Sequence, residues 1–238
     1  MIVPCERLFG YLSLKACCGV IAVTEEILEH EVSRIGGGDV PTFLYPNGIF
    51  IEPLSTLHRY DKKVPQLIFV CSNFSPWQGL DLLLESVLRS DKDFNLHLVG
   101  RLSESQIRES SCDPRVIVHG DCTPRDIQDL YEECWIGLSS FALYRQGLSQ
   151  ACSLKVREYL CAGLPVYSGH RDVFPETFKY YKTGEPDIDE IIRFALTHRD
   201  TNRSDVRREA RLFIDKRELL SKLYKDISNF LGSSTMDS

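Results

Sequence analysis

The chain has 238 residues, of which 43% are apolar and 10% aromatic, enough to bury one full-sized core with a smaller appended piece. Its formal net charge of −6 excludes a nucleic-acid surface built on bulk positive charge. Cys71 closes an apolar run, Cys134 precedes a strand and Cys161 lies within a helix, and no CxxC pair recurs downstream of another. The cysteines therefore read as reduced thiols, not as a disulfide framework or a structural zinc site. No stretch approaches the ~20 apolar residues that a membrane-spanning helix needs. The expected location is the cytoplasm, or peripheral on the inner face of a membrane.

Residues 1–45 offer one helix, the strand Val20–Val23, the helix Glu25–Arg34 and an extended piece, Thr42–Tyr45. That is too little for a core of its own and reads as the last fragment of a preceding domain. Gly36-Gly37-Gly38-Asp39 is a flexible patch, but no GxxxxGKS/T spacing makes it a phosphate loop. Pro46-Asn47-Gly48 is expected to turn, with Asn or Gly supplying a positive φ. Strands follow at Leu67–Cys71, Leu96–Val99, Val116–His119, Trp135–Ser139 and Pro165–Ser168, short and rich in branched residues as buried parallel strands are. Between them, Leu80–Arg89 carries Leu80, Leu83, Leu84 and Val87 on one face, and Pro124–Glu133 opens with Thr123 as N-cap and Pro124 at the first helical position. The order β–α–β–β–α–β–α–β predicts a doubly wound α/β sheet with right-handed crossovers. Helices at Ile188–Thr197, Ser204–Ile214 and Glu218–Leu231 close the chain, before a polar tail (232–238) expected to fray.

The most informative segment runs from Ser153 to Val166: a polar turn, a helix with Lys155 and Glu158 one turn apart, and a Gly163-Leu164-Pro165 break into a buried strand. A helix N-terminus offers free N–H groups and a positive dipole end to an anion. Lys155 adds a mobile cation, and a carboxylate at Glu158 is placed to accept hydrogen bonds from vicinal hydroxyls such as those of a ribose. On spacing alone, an amphipathic helix with a surface Lys–Glu pair explains the pattern equally well. Asp91-Lys92-Asp93 has the DxD form that chelates divalent cations, but it sits in a charged loop, and a hard-cation site needs oxygens converging from several elements. No metal is expected. Asp187-Ile188-Asp189 reads as a helix N-cap with an acidic first turn. His119 and Gly120 lie at the C-terminal end of a strand, where ligands bind in open α/β sheets.

Five blocks, Ile21-Ala22-Val23-Thr24-Glu25-Glu26, Tyr45-Pro46-Asn47-Gly48-Ile49, Phe74-Ser75-Pro76-Trp77-Gln78-Gly79-Leu80-Asp81, Val118-His119-Gly120 and Ser153–Val166, occur in an order that resembles the C-terminal half of a GT-B glycosyltransferase of family 4 (group 1). Ala142–Leu148 resembles a subgroup of bacterial polysaccharide-type transferases. The resemblance implies a Rossmann-like domain that binds a nucleotide-diphosphate sugar, retention of configuration at the transferred sugar, no cofactor, and a glycan or lipid-linked acceptor bound by a first Rossmann-like domain of which this chain holds only the end. It divides the chain into residues 1–46 (remnant and linker), 47–215 (donor-binding domain) and 216–238 (C-terminal helix and tail).

Laid on this sequence, the resemblance puts Asn73 and Gln78 where the family grips the diphosphate with Arg and Lys, so the cationic duty passes to Lys155, Arg145 or Arg101. It puts Gln150 where the family often has a Glu that contacts the transferred sugar, and Glu158 where a Glu holds the ribose. Ser153 and Leu154 supply the helix N-terminus, and the backbone from Gly120 to Thr123 passes near the base. Gln150 and Arg145 are the candidates at the reacting centre. The alternatives are a non-catalytic nucleotide-sugar-binding subunit that needs a partner chain, and a flavodoxin-like signalling or cofactor domain, which leaves the ordered blocks unexplained. The absent half-cleft is expected to leave Tyr11, Leu12, Leu14, Leu223, Tyr224 and Phe230 as an apolar patch for self-association or a partner chain.

Overall fold

The computed structural model describes residues 2–37, 40–52 and 62–234. Its main element is a six-stranded, all-parallel sheet in the order β5-β4-β3-β6-β7-β8, built from β3 (Gln66–Asn73), β4 (Asn95–Arg101), β5 (Val116–Gly120), β6 (Ile136–Leu138), β7 (Val166–Ser168) and β8 (Tyr181–Thr183). The apolar run in β3 is continuous because both faces of the sheet are covered. Leu67, Phe69 and Cys71 point into a core with α3 (Leu80–Arg89) and α7 (Ile188–Thr197). Ile68 and the partly buried Val70 point the other way, into a core with α5 (Pro124–Glu133), α6 (Leu154–Cys161) and α8 (Arg203–Ile214). The strand period of two thus divides one sequence between two cores. The strand order reverses between β3 and β6, so the loops that leave these two strands part there and open a crevice at their C-terminal ends.

The helices at Glu25–Arg34, Leu80–Arg89, Pro124–Glu133 and Ile188–Thr197 fall where the periodicity puts them. The capping box of α5 joins Thr123 to Asp126, and Asp187 caps α7. One helix escaped the apolar pattern: α4 (Glu104–Ser110) lies between β4 and β5 and supplies the crossover that the expected β–β step lacked. Its signal is polar, the capping box Ser103/Gln106. β8 was also missed, being only three residues long with no buried position in its pattern.

α1 (Ile2–Ala16) precedes a β-α-β unit in which β1 (Val20–Ala22) pairs in parallel with β2 (Thr42–Leu44) and α2 (Glu25–Arg34) makes the crossover. The last helix, α9 (Lys216–Ser234), returns to this unit, with Phe230 edge-on to Phe43 at 6.1 Å. The expectation that α9 lacks a packing surface is corrected accordingly: Leu223 is only 8% exposed, whereas Leu12, Tyr224 and Phe230 are exposed. α9 also continues to Ser234, into the tail expected to fray, while residues 235–238 lie outside the described residues, as do Gly38 and Asp39 of the glycine patch.

The turn at Pro46-Asn47-Gly48 carries a second correction. Neither Asn47 nor Gly48 has a positive φ. Gly48 is needed for closeness instead: a Cβ there would lie 2.8 Å from Leu219 Cδ1 and 3.0 Å from the Lys216 backbone. Asn47 fastens the linker, its side-chain amide donating to the Cys152 carbonyl at 2.7 Å. Among the described residues, no helix is long and apolar enough to cross a membrane.

Candidate functional site

The crevice is floored by the ends of β3 and β6 and walled by the N-terminal turns of α3 and α6. α2, α4, α5, α7 and α8 each begin with a side chain that accepts from their own first-turn N–H groups (Thr24, Ser103, Thr123, Asp187 and Asn202). The two helices that begin at the crevice do not. α3 starts from Gly79, whose φ of 73° closes the short 3-10 turn Pro76–Gln78 and whose missing Cβ admits the Phe141 and Ala142 backbone. α6 starts from Ser153, whose Oγ is buried and has no hydrogen-bond partner among the described residues. Orphan helix N–H groups and a buried, unused hydroxyl are what an anion would satisfy.

Lys155 reaches across this floor. Its ammonium donates to Gln78 Oε1 at 2.9 Å and to Cys71 Sγ at 3.0 Å, and lies 5.0 Å from the centre of the Phe69 ring. Gln78 is buried and also accepts from Ser140 Oγ at 2.7 Å, so strand ends, 3-10 turn and α6 converge on one amide oxygen. Burial holds the Cys71 thiol above its ordinary pKa, and the neighbouring ammonium draws it part of the way back. The other two candidate cations are committed elsewhere. Arg145 makes a two-pronged pair with Asp81 at 3.0 and 2.8 Å and donates to the Pro76 carbonyl, and that pair holds the Asp81 carboxyl below its usual range. Arg101 pairs with Asp121 at 3.3 Å in solvent. Among the described residues, Lys155 is in no ion pair.

One turn along α6, Glu158 sits at the rim of a largely apolar cavity of about 360 Å³, lined by Ile49, Pro124, Ile127, Gln128, Tyr131, Cys161 and Ala162. The surrounding protein raises the Glu158 carboxyl above its ordinary pKa, an effect opposed by Lys155. Asn73 is exposed at the tip of β3, and Leu154 is exposed in the first turn of α6. Gly120 ends β5 with a φ of 70° and open space around its Cα.

Gln150 stands apart from this group. Its Oε1 accepts the Glu26 backbone N–H at 3.0 Å, while the Glu26 carboxylate accepts from the backbone N–H groups of Ser149 and Gln150 at 2.7–3.0 Å and from Ser149 Oγ at 3.1 Å. The first turn of α2 and the loop before α6 are thereby locked together. Those bonds hold the Glu26 carboxyl below its ordinary pKa against the opposing effect of burial.

His119 is turned inward. Gln66 Oε1 lies 3.0 Å from His97 Nε2, so Nε2 carries the proton and His97 Nδ1 accepts from His119 Nε2 at 2.9 Å. Burial, with His119 adding to it, pushes the His97 pKa down to about 4. A histidine neutral in the fold but ionisable near 6.5 when unfolded stabilises the fold above 6.5. That contribution is lost as pH falls from 6.5 toward 4, because the unfolded chain then binds the extra proton. Urea unfolding at pH 7 and pH 5 is expected to show a loss of stability at the lower pH to which His97 contributes about 2 kcal/mol, beside His119, His170 and His198, which burial also holds below their ordinary pKa, so that His97→Gln shrinks the loss by about that amount. An equal loss in the variant would place the acid sensitivity elsewhere.

In Asp91-Lys92-Asp93, Lys92 pairs with Asp189 at 2.9 Å and its carbonyl accepts from Arg115. Among the described residues, no group of three or more His, Cys, Asp or Glu is placed to hold a metal ion. The sequence reading missed Tyr131 and Cys161, which line the cavity; both sit inside amphipathic helices, where an apolar or aromatic residue signals core.

A parallel, doubly wound sheet with its unsatisfied donors gathered at the switch point is a Rossmann-like, GT-B-type architecture. The family model for "Glycosyl transferases group 1" matches residues 64–190, and the chain belongs to that family. No match was found among the curated proteins. Among solved structures, HepE of Anabaena in complex with UDP is 18% identical, with a TM-score of 0.69 over 94% of this chain and 67% of that one. A glycosyltransferase from Rickettsia africae is 14% identical, with a TM-score of 0.68 over 95% and 67%. The lipopolysaccharide outer core galactosyltransferase WaaB is 15% identical, with a TM-score of 0.67 over 92% and 62%. The chain thus spans about 62% of the length of that galactosyltransferase. At these identities the likeness is one of fold.

Proposed function

We propose that this chain binds the nucleotide-diphosphate sugar donor of a glycosyl transfer, as the donor half of a retaining glycosyltransferase that acts on a glycan or lipid-linked acceptor. The observation that carries this reading is the gathering, at one crevice, of the uncapped α6 N-terminus, the unpartnered Ser153 hydroxyl and the Lys155 ammonium, with Glu158 one turn away on a cavity rim. The diphosphate would lie at the helix end with Lys155 against it, and the ribose hydroxyls would donate to Glu158. Asn73 and Gln78 would lie beside the diphosphate, and the backbone at Gly120 would pass near the base. Charge neutralisation is assigned to these protein groups and not to a divalent cation. The Anabaena structures were solved with UDP and with UDP-glucose, which makes UDP the first nucleotide to test.

Titration calorimetry of UDP and GDP is expected to show binding by the unaltered chain, weakened about tenfold or more by Lys155→Ala and by Glu158→Ala, since a charge-assisted contact is worth ~1.5–3 kcal/mol. No binding at millimolar nucleotide, or equal binding by both variants, would overturn the assignment.

The geometry around Gln150 favours a second reading, a nucleotide-sugar-binding subunit whose catalysis needs a partner chain. Its amide carries no negative charge for an oxocarbenium-like transition state and is engaged by α2. Labelled product from the purified chain, with a panel of nucleotide-sugars and a lipid acceptor extract, would reject this second reading.

A further inference from the structure

We propose that Gln78 is a positioning residue: it holds the Lys155 ammonium in the crevice with its charge uncancelled and one N–H left to give to the donor diphosphate. The inference rests on the donor-binding reading above and adds to it a residue that acts through Lys155. A lysine can only donate, so its 2.9 Å contact fixes which way the Gln78 amide faces, with Oε1 toward the ammonium. The Ser140 hydroxyl donates to the same oxygen at 2.7 Å, and these two donors use both of its lone pairs. The Gln78 backbone is fixed as well: its carbonyl accepts from the Phe141 N–H and its N–H donates to the Ser75 carbonyl, both at 2.9 Å. Gln78 is 4% exposed, whereas Lys155 is only partly buried, so a ligand that meets this pair meets the lysine.

An ammonium has three donors. In Lys155 two are taken, by Gln78 Oε1 and by Cys71 Sγ at 3.0 Å, and both acceptors are neutral: an amide, and a thiol whose ionisation burial opposes. The tether therefore leaves the whole positive charge and one N–H for a phosphate oxygen. A carboxylate in place of the amide would spend that charge in an ion pair, as Asp81 does for Arg145. A free lysine side chain loses much of its rotamer freedom when a ligand immobilises it. One already held by Gln78, Cys71 and the Phe69 ring has lost that freedom on folding.

The test is a double-mutant cycle on UDP affinity, read by titration calorimetry. Gln78→Met keeps the length of the side chain and removes the oxygen. It is expected to weaken UDP about three- to tenfold, the range for fixing one long side chain. In a Lys155→Ala background the same replacement is expected to change affinity less than about twofold, because Gln78 acts only through the ammonium. An equal loss in both backgrounds would mark Gln78 as structural, and tighter UDP binding by Gln78→Met would show that it restrains Lys155; either result overturns the proposal. Gln78→Glu, nearer in shape to the native residue, covers the case in which the methionine variant does not fold. Its carboxylate should hold the lysine while cancelling the charge, so that the fold is kept and UDP binds about tenfold or more weakly. UDP affinity that falls in Lys155→Ala but is indifferent to both Gln78 variants would overturn this inference alone. Failure of the unaltered chain to bind UDP would overturn the donor-binding reading and the positioning role with it.

Discussion

Arg157→Ala is expected to destabilise the protein by about 3–5 kcal/mol, a large part of the roughly 5–15 kcal/mol that holds a domain together. Arg157 and Asp172 form a pair with no solvent exposure on either side chain, bidentate, with the Nη2–Oδ1 contact at 2.7 Å. Among the described residues, removing the guanidinium leaves the Asp172 carboxylate buried with only the Val173 N–H to satisfy it. Two further losses add to this one. Arg157 Nε donates to the Asn47 carbonyl at 3.0 Å, and its guanidinium lies 5.2 Å from the centre of the Phe174 ring. Asn47 in turn bonds to Cys152, so Arg157 clasps the linker that follows β2 onto the helix bearing Lys155 and Glu158. Urea unfolding measures the effect. A double replacement, Arg157→Met with Asp172→Leu, is expected to recover most of the loss, because it removes both charges at similar volume. A single-variant loss below ~1 kcal/mol would mean that the pair contributes little beyond packing.

Arg157 also shows where sequence reading stops. In Leu154-Lys155-Val156-Arg157-Glu158 three charged residues stand almost side by side, and nothing in the spacing says which of them is buried. The helical turn decides: Lys155 faces the sheet floor, Arg157 the loop carrying Asp172, and Glu158 the cavity rim. Apolar periodicity was enough for α3, α5 and α7 and for the run in β3, because each buries a continuous stripe or both of its faces. It was silent on α4, which is held by a polar capping box, and on Tyr131, whose ring reads as core while its hydroxyl goes unused. The pairings of Arg145 with Asp81 and of Gln150 with Glu26 join residues far apart in the chain. No local pattern could have shown that these candidates were already engaged.

The second large effect concerns Phe69, which joins the core to the site. It is fully buried in the middle of β3, edge-on to Phe74 at 5.3 Å and to Phe141 at 5.9 Å, and its ring carries the Lys155 ammonium. Phe69→Ala is expected to cost about 3–5 kcal/mol, through lost burial and the cavity left behind. Phe69→Leu separates the two roles. A hydrophobic replacement of nearer volume should cost under ~1.5 kcal/mol in stability, yet it removes the aromatic face beneath Lys155. A cation–π contact contributes ~0.5–2 kcal/mol, so a Lys155 preorganised by the ring would bind UDP about threefold or more tightly than one resting on leucine. Calorimetry on Phe69→Leu, whose fold survives, therefore reads the positioning effect without the unfolding that confounds Phe69→Ala. Unchanged affinity would show that the ammonium leaves the ring to reach the nucleotide, and that Phe69 serves the core alone.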